Sequence, residues 1–387
     1  MRKIALISDA RTSHGIYTPI LRGIEKNPNL DYIYIITGMH LSKKFGETIN
    51  VIKEEGFKTI EMKLLPKRNK KSDQVKFIGK AISKLIDIFE KEKPDIILAQ
   101  GDRGISLAAT IVGAYMLIPV AHMHGGEVSG TIDESTRHAI SKYSHIHFPA
   151  TKKSAERISK LGEDNWRIHL VGATGIEYIL NQKLMSKEET ASIFGFDPKK
   201  TIIVVLQHPV TKETKDSRNH MKETMDAIEE LKEQTIVIYP NSDAGNDEII
   251  EVIEETIKKN KDKFFIKSYK NLSFDRYLNL LKHSGVLVGN SSGGIIETPS
   301  LGLPVVNIGT RQEGREKAEN LIDVGYNKNE IICAIKKALY DEKFKSIVAK
   351  KETPYNPCKD GKVSKRILDV LEKIEVNERL LDKKITY

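Results

Sequence analysis

Cysteine is nearly absent from this 387-residue chain: Cys333 and Cys358 are the only two, and they do not form a Cys-x-x-Cys pair. That spacing argues against both a disulfide framework and a zinc ribbon. Long apolar runs are missing too, since none approaches the roughly 20 residues that span a bilayer. The opening residues Met-Arg-Lys-Ile-Ala-Leu-Ile-Ser-Asp lack the apolar stretch of about 7–15 residues found in a signal peptide, so a cytoplasmic protein with no membrane partner is expected. No basic stretch is interleaved with aromatics as in a nucleic-acid groove, and no nucleic-acid partner is expected. Nor is there His-x-x-x-His or similar ligand spacing, so no metal is expected.

What is present is an ordinary globular balance, with 39% hydrophobic and 30% charged residues. The length suits two domains. A net charge of +9 suits an anionic partner such as a nucleotide, although many lysines, among them Lys76, Lys80, Lys84 and Lys91, fall on amphipathic helical stretches. The dense run Lys67-Arg68-Asn69-Lys70-Lys71 reads as a surface loop.

Short apolar runs alternate with helical patterns throughout, the signature of an α/β protein with parallel sheets. Strands are predicted at Ile4–Ile7, Tyr32–Ile36, Ile60–Leu64, Ile96–Ala99, Val120–His122 and His145–Phe148. Tyr17, Ile20, Leu21 and Ile24 mark one helix; Val75, Ile78, Ile82, Leu85, Ile86 and Phe89 mark a longer one. A polar helical stretch at 181–194 follows, and the pattern restarts with strands at Ile202–Leu206, Ile236–Tyr239, Phe264–Ile266, Val286–Val288 and Val305–Ile308. The expected architecture is two doubly wound, Rossmann-like domains facing a cleft, with a hinge near residues 175–195. The boundaries are 1–180 and 181–365, with a segment at 366–387 that returns to the first domain.

Four motifs carry chemistry. Gly289-Asn290-Ser291-Ser292-Gly293-Gly294-Ile295-Ile296-Glu297 follows an apolar strand and enters a helical segment. Small residues there let amides and hydroxyls approach a phosphate, and Glu297 stands where it can accept from ribose hydroxyls. The alternative is a strand-to-helix turn that binds nothing. Gly101-Asp102-Arg103, His122-Met123-His124-Gly125-Gly126-Glu127 and Asp133-Glu134-Ser135-Thr136-Arg137 form the second group. Asp102, Glu127 and Asp133, with His124 and Arg137, are expected to converge on one cleft wall, where like-charge repulsion makes acid and base from one residue type. Helix capping by Asp133 and ordinary ion pairs are the alternative. The third is Gln207-His208-Pro209, whose His208 is placed to donate to a leaving phosphate, or is structural. In the fourth, Ser8-Asp9-Ala10-Arg11, Arg11 is either a phosphate clamp or a solvent-facing loop residue.

In chain order, Gly101-Asp102-Arg103, His122-x-His124-Gly125-Gly126-Glu127, Arg137-His138-Ala139-Ile140, Gln207-His208-Pro209, Gly289-Asn290-Ser291-Ser292 and Gly309-Thr310-Arg311-Gln312-x-Gly314-Arg315 resemble the hydrolysing UDP-N-acetylglucosamine 2-epimerases over about residues 1–375. The resemblance implies a GT-B fold, UDP held mainly by the second domain, no cofactor, and a homo-oligomer (dimer or tetramer). It implies elimination of UDP to a glycal and hydration to N-acetylmannosamine, as in sialic-acid-type pathways. Asp102, Glu127, Asp133, His124, Arg137 and His208 match catalytic positions. Arg11, Ser291, Ser292, Gly293, Glu297 and Arg311 match UDP contacts. Either Glu127 or His124 stands for the family's glutamate. Two departures, Arg11-Thr12-Ser13-His14-Gly15 and Gly104-Ile105 after Asp102-Arg103, are expected to line the sugar side. They leave open UDP-2,4-diacetamido-2,4,6-trideoxyglucose as substrate. Non-hydrolysing epimerases and GT-B glycosyltransferases are the other classes.

Overall fold

A computed structural model describes residues 1–64, 71–130, 133–241 and 243–386, with the side chains of Arg11 and Lys71 outside the described set. The predicted loop at 67–71 lies outside it except for Lys71, whose backbone begins helix Lys71–Glu92 instead. The chain divides into two compact units: Met1–Val128 with Ile132–Leu180 and Pro354–Tyr387, and Asn181–Thr353 with Ser129–Thr131. The return to the first unit thus starts at Pro354, earlier than the 366 expected from sequence.

In the first unit, β1 (Arg2–Ser8), β2 (Leu30–Ile36), β3 (Ile60–Glu61), β4 (Ile96–Gln100), β5 (Val120–Met123) and β6 (Ile146–Phe148) form a sheet ordered β3-β2-β1-β4-β5-β6. Every pairing is parallel. Such a sheet is covered on both faces, so its central strands read as unbroken apolar runs. Period-2 alternation sends Ile4 and Leu6 into one core layer and Ala5 and Ile7 into the other. The first layer is closed by Tyr17, Ile20, Leu21 and Ile24 of helix Arg11–Glu25 and by Val363, Ile367, Leu368 and Leu371 of helix Val363–Lys373. These helices meet at Gly23, where a Cβ would lie 2.3 Å from the Leu368 side chain.

The second unit repeats the plan. Its strands are β7 (Ile202–Leu206), β8 (Gln234–Ile238), β9 (Ile266–Tyr269), β10 (Val286–Gly289), β11 (Val305–Ile308) and β12 (Leu321–Val324). Their order, β12-β11-β10-β7-β8-β9, is again all parallel. In both sheets the first strand of the unit is central and borders the fourth. The order reverses there, and ligands of open α/β sheets bind beyond the strand ends at that reversal. No helix among the described residues is long and apolar enough to cross a membrane.

Candidate active site

At the reversal in the first unit, β1 runs out into Asp9 and β4 into Gly101-Asp102-Arg103. Gly101 takes φ +67°, which lets the chain turn sharply into helix Gly104–Tyr115 and leaves Asp102 on the bend. Next to it β5 runs out into His124, which holds a left-handed φ of +59° despite its side chain. Such strain persists only where the surroundings impose it. Here they do: a Cβ on Gly125 would meet the His122 ring at 2.8 Å, and one on Gly126 would lie 2.2 Å from the Ser154 carbonyl. The paired glycines are therefore a packing requirement, and their effect is to aim His124 and Glu127. His124 Nδ1 lies 2.7 Å from Glu127 Oε1, and both side chains are buried.

Arg137 joins these two strand ends. It is 1% exposed, donates to the Glu127 carbonyl at 2.9 Å, and forms an ion pair with the Asp102 carboxylate. A buried guanidinium is stable only when paired and hydrogen-bonded in this way. Asp102 itself remains 23% exposed. Asp133 is the first residue of helix Asp133–Tyr143, one turn before Arg137 on the same face. Acidic Asp133 and Glu134 also complement the positive end of that helix. His122 is fully buried, and burial lowers it to about 3, so its ring is neutral. Its Nε2 donates to the Gly101 carbonyl at 2.7 Å and its Nδ1 accepts from the Ser141 hydroxyl at 3.1 Å.

Sequence reasoning missed Asp9, although it stands in a quoted motif. Asp9 is buried and accepts from Arg103 Nε at 2.8 Å, which brings the ends of β1 and β4 together. The backbone of Arg11 opens its helix, but its side chain lies outside the described residues. Within the two departures from the family pattern, three residues turn inward. His14 turns inward to Tyr34 OH (2.8 Å) and Glu55 (2.9 Å), beside Phe57, because its two ring nitrogens meet the buried Tyr34 hydroxyl and the partly exposed Glu55 carboxylate. Ile105 is a core residue, and Gly104 abuts Ile78.

In the second unit the reversal lies between β7 and β10. Gly289 has φ +133°, and a Cβ there would sit 2.1 Å from the Leu206 carbonyl, so only glycine permits this approach. Asn290, 1% exposed, then ties the strand ends together: its Oδ1 accepts the His208 amide at 2.7 Å and its Nδ2 donates to the His208 carbonyl at 2.9 Å. His208 Nδ1 accepts the Asn241 amide at 3.0 Å, so in the neutral ring Nε2 carries the proton and is the donor.

The helix expected after Ser292 is a single turn, Gly293–Ile296, followed by a second, Thr298–Leu301, with Pro299 near its start. Ser291 Oγ accepts the Gly293 amide at 3.3 Å. A Cβ on Gly293 would meet Tyr277 OH at 2.8 Å and Glu297 Oε2 at 3.0 Å, which places the nearly buried Glu297 carboxylate directly beneath the loop. Arg311 and Gln312 cross above it, donating to the Asn290 carbonyl at 3.2 and 2.8 Å. Asn290 was quoted only as a motif letter; its hub role depends on contacts between distant segments. Among the described residues no cluster of three His, Cys, Asp or Glu side chains suits a metal ion.

Two all-parallel Rossmann sheets, each with polar loops at its reversal, define the GT-B class of nucleotide-sugar enzymes. The chain belongs to the UDP-N-acetylglucosamine 2-epimerase family, whose model matches residues 22–372. It is thus an enzyme of the UDP-sugar 2-epimerase kind. It is 37% identical over 385 residues to the UDP-N,N'-diacetylbacillosamine 2-epimerase (hydrolyzing) of Legionella pneumophila subsp. pneumophila, covering 99% of each chain. It is 33% identical over 346 residues to the UDP-N-acetylglucosamine 2-epimerase of Neisseria meningitidis serogroup B, covering 89% of this chain and 90% of that one. The crystal structure of UDP-GlcNAc 2-epimerase from Neisseria meningitidis bound to UDP-GlcNAc shares the fold, with TM-score 0.81 and 20% identity over 97% of this chain and 100% of that one.

Proposed function

We propose that the chain is a hydrolysing 2-epimerase that converts a UDP-2-acetamido sugar to UDP and the free 2-epimer. The observation that carries this reading is the Arg137-centred constellation: one buried guanidinium holds Asp102 and the backbone of Glu127, with His124 hydrogen-bonded to the Glu127 carboxylate. Removing a carbon-bound proton and returning one needs acid–base groups held in fixed positions, and this group supplies them. Asp102, partly exposed and ion-paired, exchanges the carbon-2 proton. Glu127, paired with His124, and Asp133 serve the opposite transfer.

The second unit holds UDP. Ser291, Ser292 and the Gly293 region face phosphate, and Glu297 accepts from ribose. Arg311 lies over the same loop. His208 Nε2 donates to the departing phosphate as the carbon–oxygen bond breaks, and hydrogen bonds to that growing charge lower the barrier. Water then adds across the glycal. Arg11 completes the phosphate side, and the chain works as a homo-oligomer without a cofactor in the cytoplasm.

Full-length similarity to the Legionella protein favours a 2,4-diacetamido-2,4,6-trideoxyglucose as the sugar. The Neisseria relative favours the second reading, UDP-N-acetylglucosamine giving N-acetylmannosamine. Incubation with each UDP-sugar in deuterium oxide, followed by NMR, decides among these. The expected outcome is free UDP in equal amount to a manno-configured sugar carrying deuterium at carbon 2. A product still attached to UDP would make the enzyme non-hydrolysing. A released gluco sugar with protium at carbon 2 would indicate glycosyl transfer to water and end the elimination mechanism.

A further inference from the structure

The C-terminal residues Glu378-Arg379-Leu380-Leu381-Asp382-Lys383-Lys384 have the composition of a solvated tail. The fold uses them otherwise. Lys383, with a side chain only 13% exposed, donates from Nζ to the carbonyls of Ser141 (3.2 Å), Lys142 (2.6 Å) and Ser144 (2.5 Å). Ser141 and Lys142 lie in the last turn of helix Asp133–Tyr143, where carbonyls lack partners within the helix and the helix dipole is negative. An ammonium from the far end of the chain therefore caps this helix.

The cap is built in, because the segment that carries it is clasped from beneath. Arg167, 1% exposed, donates to the carbonyls of Arg379 (2.9 Å), Leu380 (2.8 Å) and Asp382 (3.3 Å), and to that of His145 (3.1 Å). Leu380 enters the core, and the Arg167 and Arg379 guanidiniums both lie against the Trp166 ring. The Thr386 amide donates to the Gly162 carbonyl at 3.0 Å. Glu163, 2.8 Å from Lys383 Nζ, also receives Lys142 and the buried His147. Burial lowers the Lys383 ammonium to about 8, and the Glu163 hydrogen bond opposes that shift.

The capped helix carries Asp133 at its other end and Arg137 one turn before the capped carbonyls. Two continuous routes lead from Lys383 to Asp102. One follows the helix back about one turn from Ser141, roughly 6 Å by its rise per residue, to the Arg137 guanidinium and the Asp102 carboxylate. The other runs from Ser141, whose hydroxyl meets His122, to the Gly101 carbonyl that His122 holds next to Asp102. Both routes end on one carboxylate.

We propose that Lys383 is a positioning residue for the reaction: by capping helix Asp133–Tyr143 it sets where Arg137 and Gly101 hold Asp102. The proposal rests on the reading of Asp102 as an acid–base group. Its test uses the full-length chain with Lys383→Met and Lys383→Arg. The measurements are kcat and KM with the UDP-sugar turned over, the Kd of UDP, and hydrogen exchange of amides 133–143.

Lys383→Met is expected to lower kcat at least about tenfold, since ångström-scale misplacement costs up to about 100-fold. KM and the Kd of UDP stay within about twofold. Protection of amides 133–143 falls at least about tenfold while that of β7–β11 is unchanged. Lys383→Arg, which retains charge and donors, restores kcat to within about threefold. A Lys383→Met enzyme with kcat within about twofold of wild type overturns the proposal, and so does a kcat loss matched by equal losses of UDP affinity and of protection throughout the chain. If Lys383→Met does not fold, Lys383→Gln is judged by the same criteria. If the wild-type chain releases UDP from neither sugar, the functional reading has failed by itself. Exchange at 133–143 then decides the positioning, and unchanged protection in the variant overturns it.

Discussion

In the proposed reaction a carboxylate that trades protons with a sugar carbon has to be held still, and Asp102 is held by a buried guanidinium that also donates to the Glu127 carbonyl. Asp102→Asn keeps the side-chain shape but cannot accept a proton. Its kcat is expected to fall by about 10²–10⁴ while the Kd of UDP is unchanged, read by steady-state kinetics and calorimetry. On the nucleotide side, Glu297→Ala is expected to weaken UDP by about 1–3 kcal/mol, the cost of losing hydrogen bonds to a charged acceptor. Unchanged affinity in a folded variant would place the ribose elsewhere. The loops that carry these residues were legible in the sequence because each follows an apolar run, where a parallel sheet delivers its loops. Their partners were not. Nothing in the motif order shows that Arg137 rather than His124 reaches Asp102, or that His14 turns inward to Tyr34 and Glu55. Both outcomes depend on side-chain directions set by neighbours far away in the chain.

Strands and helices follow the same division. Central strands such as β1, β4 and β7 coincide with the apolar runs that predict them, since burial on both faces demands such runs. The edge strands of the second sheet escape, although β3 and β6 at the edges of the first were expected. β12 (Leu321–Val324) went unread because it is only half covered, and β9 lies at Ile266–Tyr269 rather than at the apolar Phe264–Ile266. Half-solvated strands alternate too weakly over four residues to be distinguished from loops. Gly289 is the element-scale counterpart of a catalytic residue, since β10 and β7 meet through it. Gly289→Ala is expected to destabilise the protein by at least about 3 kcal/mol, combining positive-φ strain with backbone overlap. Urea unfolding checks this, and a loss below about 1 kcal/mol would mean that the strand end shifts to make room.

Across the whole molecule, the return of the chain at Pro354 places its last charges inside the first unit. Glu163 feels this most. Burial raises its carboxyl, but hydrogen bonds from His147, Lys142 and Lys383 outweigh burial and hold it down at about 2. A carboxyl depressed on folding contributes stability that is present above about pH 4.5 and lost as pH falls towards 2. Glu163→Gln is therefore expected to cost about 3 kcal/mol near neutrality, with the gap from wild type closing between pH 4.5 and 2 in urea titrations at fixed pH. A pH-independent gap would contradict this account. The sequence by itself determined the two parallel α/β sheets and the loops that carry polar motifs, because hydrophobic periodicity and strand-end chemistry are local properties of the chain. Only the tertiary structure decided which of those polar groups touch. It paired Arg137 with Asp102, tied His208 to Asn290, and turned a charged tail into a buried cap for the helix that carries Asp133. Such pairings depend on the desolvation of groups brought together from distant parts of the chain, and no local pattern records that.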